Sequence, residues 1–225
     1  MPELDSIRGL AILGVLFTHG FYYATTASLY HSAAQRFAIH STMLGRTGVN
    51  LFFVLSGFLI TGILIDSRQQ SGYYRRFYVR RALRILPVYY WVLALLLVLH
   101  FGNWPFVALS VIYLSNLTPL WGIPLAYSVL WSLAVEEHFY LFWPAVVKKF
   151  SLTGLAVCSG AIILLSPLIR LLSFHLSLHN GVRTYDFDLY TWNAADGLAC
   201  GALVATLLRL KPIERRQLWR IASML

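Results

Sequence analysis

Arg8 and His19 stand eleven residues apart in an apolar stretch. At about 100° per residue, eleven helical steps return to within about 20° of the starting direction. A helix through both carries the guanidinium and the imidazole on one face, roughly 16 Å apart along the axis. Imidazole is the side chain best suited to move a proton near neutral pH, and an ionisable residue inside a membrane is a functional candidate by default. A histidine hydrogen-bonded to a neighbouring helix would satisfy the same spacing.

Glu136 and Glu137 lie mid-way along the apolar run Leu130 to Pro144. A carboxylate at the bilayer centre costs on the order of 3 kcal/mol, so two adjacent ones imply a polar cavity. Ser132 precedes Glu136 by four residues and shares its helix face, which would let it support the carboxylate. Glu137 points about 100° away and is expected to contact something else; the plainer alternative for both carboxylates is pairing with Arg8 or another interior cation. Arg80, Arg81 and Arg84 open another apolar run, with two or three guanidiniums on one side. Planar forks suit phosphates, although a topogenic or lipid-headgroup role accounts for such arginines equally well. Asp196 and Gly197 begin a later run, where Asp196 is expected to cap the helix. Gly48, Asn50, Ser56 and Gly57 read as close-packing residues. His31, His40, His100, His138, His175 and His179 show no ligand pairing and are given no role.

The elements that must position these groups follow from composition. Of 225 residues, 58% are hydrophobic and 12% charged, too apolar for a water-soluble globule. Gly9 to Gln35, Thr47 to Ile65, Leu86 to Val135 and Phe150 to Ile169 contain no Asp, Glu, Lys or Arg, and each is long enough to cross a bilayer, which needs about 20 residues. The expected fold is an all-α polytopic bundle. Its helices are expected near 7–24, 48–66, 84–101, 105–117, 129–147, 152–172 and 194–209, with an eighth starting near Leu218. The net charge of +9 comes from short basic runs between apolar segments, which argues for topology and not nucleic-acid binding. Arg68, Arg75, Arg76, Arg80, Arg81 and Arg84 place the second connection, and with it the N-terminus, on the cytoplasmic side. Seven clean spans would then leave Lys148 and Lys149 outside, so a broken or re-entrant segment is expected between His100 and Leu130, where Pro105, Pro119 and Pro124 fall. The flank of the first run carries Glu3 and Asp5 and reads as an uncleaved anchor. Cys158 and Cys200 form neither a disulfide framework nor a metal site with the histidines, so no metal is expected.

Four blocks resemble the acyltransferase-3 family of integral membrane acyltransferases. They are Leu4-Asp5-Ser6-Ile7-Arg8-Gly9 leading to His19; Gly48 to Thr61, GVNLFFVLSGFLIT; Phe77 to Trp91, FYVRRALRILPVYYW; and Trp131 to Pro144, WSLAVEEHFYLFWP, with Asp196-Gly197-Leu198 as a weaker fifth. The resemblance implies one membrane acyltransferase domain over 1–225 in the bacterial inner membrane, lacking the last spans of the family. It also implies transfer of an acyl group, often acetyl, from cytoplasmic acyl-CoA to a hydroxyl of a saccharide or related glycoside. In that reading His19 is the general base, Glu136 orients it with Ser132 in support, and Arg8 binds the donor or pairs with a carboxylate. Arg81 and Arg84, with Arg80, hold the CoA phosphates. Two other classes fit the same residues: a proton-coupled transporter using His19, Glu136 and Glu137 as a relay, and a fragment that binds without turnover.

Overall fold

The computed structural model describes residues 2–17, 46–100, 103–127, 129–180 and 189–210. Among these the regular structure is helical: α1 (Pro2–Phe17), α2 (Arg46–Ser67), α3 (Tyr73–Val98), α4 (Trp104–Val111), a 3-10 helix (Ser115–Trp121), α5 (Leu130–Lys149), α6 (Leu152–Asn180) and α7 (Thr191–Leu210). Four of them, α2, α3, α6 and α7, are long and apolar enough to cross a membrane. The chain is an all-α integral membrane protein. The expected eighth segment lies outside the described residues.

The core forms where small residues let backbones meet. A Cβ on Gly57 of α2 would run into the Leu198 carbonyl of α7, and one on Gly201 of α7 would run into the Val54 carbonyl of α2. The two helices are thus paired by reciprocal glycines, and α7 also packs on α6 while α1 packs on α2. Gly48 meets the α1 backbone at Ala11 in the same way. On α5, Val135, Phe139, Trp143 and Val147 bury against Phe53 and Leu64 of α2 and Leu198 of α7. The Trp143 indole N–H donates to Thr61 Oγ1 at 2.8 Å, so the one polar atom of that ring is satisfied inside the core.

The start of α3 differs from the sequence expectation for a physical reason, and the break expected before Leu130 is seen. Helix α3 begins eleven residues before Arg84, just after Gly72, which holds a left-handed φ of 69°. Arginine is a good helix former, so Arg75, Arg76, Arg80 and Arg81 sit on the helix itself and not in a connection. Between His100 and Leu130 the chain makes an eight-residue helix and a seven-residue 3-10 helix, and neither reaches across a core of about 30 Å.

That break restores the parity of the charges. The Arg68 guanidinium donates to the Lys148 carbonyl at 3.1 Å, and Lys148 Nζ returns a bond to the Arg68 carbonyl at 2.5 Å. Arg209, at the end of α7, clasps Asp66 at the end of α2 with a 2.7 Å ion pair. The C-terminal ends of α2, α5 and α7 therefore share one face with the arginine end of α3. The alternation of seven complete spans, which would set Lys148 opposite Arg68, does not occur.

Candidate functional site

Long side chains bridge helices α3 and α5. Tyr73 and Tyr78 of α3 donate to the Pro144 and Leu141 carbonyls of α5 at 3.0 and 2.8 Å. One turn further in, Arg81 meets Glu137 with a fork of two contacts, Nε to Oε2 at 3.1 Å and Nη2 to Oε1 at 2.5 Å. Its guanidinium lies 3.4 Å from the centroid of the Tyr140 ring, so a cation–π contact fixes its plane as well. The Tyr140 hydroxyl reaches Glu136 Oε1 at 3.4 Å.

The adjacent carboxylates thus face different partners, as their helical offset requires. Glu137 is tied to α3, while Glu136, 5% exposed, turns inward toward α2. The Ser56 hydroxyl stands beside that buried carboxyl without completing a hydrogen bond. Ser132, the expected support, instead donates to the Val129 carbonyl of its own helix at 3.1 Å. A serine hydroxyl on a helix readily shares the carbonyl three or four residues back in its own chain.

Two adjoining cavities, of about 230 and 160 Å³, share Tyr78, Arg81 and Glu137 as a common wall. The larger is also lined by Tyr113, His138 and Tyr140, and by the apolar Ile112 and Leu141. His138, given no role from sequence, is therefore on the cavity; its Nδ1 lies 2.6 Å from Thr191 Oγ1. Tyr113 follows α4 in a turn whose amides bond back to Ser110 and Leu109 at 2.9 Å each. This is the Schellman closure, whose left-handed position glycine usually fills. Tyr113 fills it with φ 60°, at a strain of roughly 1–2 kcal/mol.

Arg81 is engaged by Glu137, whereas Arg80 and Arg84 are exposed along α3. Arg8 is carried in the second turn of α1, and His19 lies outside the described residues. Asp196 is not a cap, because α7 starts five residues earlier at Thr191; it pairs with Arg170 of α6 at 3.0 Å. Among the described residues no group of three His, Cys, Asp or Glu stands close enough to hold a metal.

A family profile described as an acyltransferase domain matches residues 1–225. The chain belongs to the acyltransferase-3 family. Among curated proteins it is similar to the peptidoglycan O-acetyltransferase OatA of Listeria monocytogenes, with 31% identity over 173 residues, which is 67% of this chain and 24% of that protein. It is 32% identical over 168 residues to YrhL of Bacillus subtilis, a candidate peptidoglycan O-acetyltransferase, covering 64% of this chain and 23% of that one. A candidate O-acetyltransferase of Staphylococcus aureus is 30% identical over 179 residues, 68% of this chain and 26% of that one. The chain spans about a quarter of the length of these relatives. No solved structure matches it.

Proposed function

We propose that the protein is a membrane O-acyltransferase that moves an acetyl group from acyl-CoA, taken up at the cytoplasmic face of a bacterial inner membrane, to a hydroxyl of a cell-surface saccharide. The names of its relatives favour peptidoglycan as the acceptor. The observation that carries the proposal is the convergence of two family blocks on one buried polar cluster: Arg81 from FYVRRALRILPVYYW and Glu136 and Glu137 from WSLAVEEHFYLFWP, joined through Tyr140 beside a cavity.

In this reading the acceptor oxygen adds to the thioester carbonyl carbon while His19 takes its proton. The C–S bond then breaks, and the CoA sulfur leaves as thiolate and takes the proton back from the imidazolium. Glu136 orients His19, with Ser132 in support, and Arg8 binds the donor or pairs with a carboxylate. Arg80 and Arg84 are exposed and offer forks to the CoA phosphates. Arg81 contributes a cation held by Glu137, so its added charge at the site is compensated. The basic face shared by Arg68, Arg75, Arg76, Lys148 and Lys149 supports a cytoplasmic assignment for that side and for the N-terminus.

The test is release of free CoA from acetyl-CoA by the protein in lipid, with peptidoglycan fragments as acceptors. Release that requires both acceptor and His19 is expected, with His19→Ala lowering it at least about a hundredfold. Wild-type turnover by a folded His19→Ala protein overturns the assignment of the base. Proton-coupled flux of a glycoside without CoA release identifies a transporter.

A further inference from the structure

Tyr113 carries two liabilities that packing does not require. A bulky residue holds the left-handed turn after α4, and its hydroxyl is buried without a hydrogen-bond partner. Both fall on a side chain that lines the larger cavity together with Arg81, Glu137 and His138. The ring is held by near-parallel stacking on Tyr89, with centroids 4.4 Å apart and 12° between planes. Tyr89 is itself anchored by donation to the Ser110 carbonyl at 2.6 Å.

The turn is also braced from behind. Asn116 Nδ2 lies 3.3 Å from the Leu189 carbonyl, which can only accept, so this atom is the amide nitrogen and also donates to Thr191 Oγ1 at 2.9 Å. Thr191 Oγ1 in turn shares a hydrogen bond with His138 Nδ1 at 2.6 Å, and the His138 ring stands beside the main chain of Tyr113. Four elements, α3, the 3-10 helix, α5 and α7, therefore brace a turn whose tyrosine lines the cavity and carries an unpartnered hydroxyl, and strain maintained this way marks a site.

Resting on the acyl-transfer reading above, we propose that the Tyr113 hydroxyl donates a hydrogen bond to a carbonyl oxygen of the acyl donor, either the thioester carbonyl or a pantetheine amide. At the thioester the bond strengthens as negative charge gathers on oxygen when the acceptor hydroxyl adds to carbon. It relaxes when the C–S bond breaks and the carbonyl returns, and the proton stays on Tyr113 throughout. At a pantetheine amide the same bond serves binding alone.

Tyr113→Phe removes one oxygen and keeps the ring, its stack and its turn. Losing an unpaired buried hydroxyl leaves the fold as stable or more so. The experiment measures the thermal midpoint, acetyl-CoA binding and acetyl-CoA turnover of the protein in lipid nanodiscs. An unchanged or raised midpoint is expected, with kcat lowered about tenfold to hundredfold if the thioester is the partner, or KM raised about tenfold at constant kcat if the amide is. Thr191→Val, which releases His138, is expected to shift the same parameter by a smaller factor. Wild-type kinetics in Tyr113→Phe, or a lowered midpoint with loss of folded protein, overturns the proposal. A wild-type protein that neither binds nor consumes acetyl-CoA overturns the acyl-transfer reading itself, which separates that failure from one confined to Tyr113.

Discussion

Arg81 and Glu137 are 16% and 17% exposed, so removing either leaves its partner charged in a largely dehydrated place. Arg81→Ala is expected to cost about 3–5 kcal/mol, seen as a fall in thermal midpoint, whereas Arg81→Met combined with Glu137→Leu is expected to unfold close to the wild type. Equal destabilisation by the single and double changes would show that packing, and not the charge, matters there. The motif blocks singled out Arg81 and Glu136, and helical offset correctly separated Glu137 from its neighbour. Helical spacing relates only residues of one helix, however. It paired Glu136 with Ser132, while the hydroxyls that stand by it are those of Ser56 on α2 and Tyr140. The chain from Asn116 through Thr191 to His138 spans 75 and 53 residues of sequence, a range over which no periodicity carries information. A histidine in a motif next to two glutamates was the one available signal.

Helix α7 owes its place to Gly57 and Gly201, each of which stands where any side chain would meet a carbonyl of the other helix. Gly57→Ala or Gly201→Ala is expected to destabilise by about 1–3 kcal/mol through forced separation of the backbones. Gly160→Ala on α6 meets nothing within 4 Å and is expected to be neutral or to gain up to about 1 kcal/mol from helix propensity. Thermal midpoints in one lipid would distinguish these outcomes, and parallel losses at all three sites would refute the contact as the cause. The packing role of the Gly48 to Gly57 run was legible in its small residues. Hydropathy located the spans but started α3 at Arg84, because it does not register that an arginine-rich stretch after a left-handed glycine is already helical. It placed the start of α7 at the apolar Ala194, although the helix already includes Thr191, Trp192 and Asn193.

Across the whole molecule, the short segments between His100 and Leu130 send α5 back toward the face from which α3 set out. Single cysteines at positions 75 and 149, in a background with Cys158 and Cys200 replaced by serine, are expected to react with an impermeant maleimide from one side of sealed vesicles. A cysteine at position 100 is expected to react from the other. Labelling of 75 and 149 from opposite sides would break the fold as described. The basic residues announced this arrangement as a conflict, and the prolines located its resolution, but only the Arg68 to Lys148 contact makes it geometric. The two helices that bound the cavity also differ in length, 26 residues in α3 against 20 in α5, or about 39 Å against about 30 Å. The surplus of α3 is its basic half, where Arg75, Arg76, Arg80, Arg81 and Arg84 fall and where Tyr73, Tyr78 and Arg81 moor it to α5. The arginine-free remainder, Ile85 to Val98, is about 21 Å long, short of a hydrocarbon core of about 30 Å. A bilayer therefore meets this helix best by thinning beside the wall that carries Tyr89 and, through it, Tyr113.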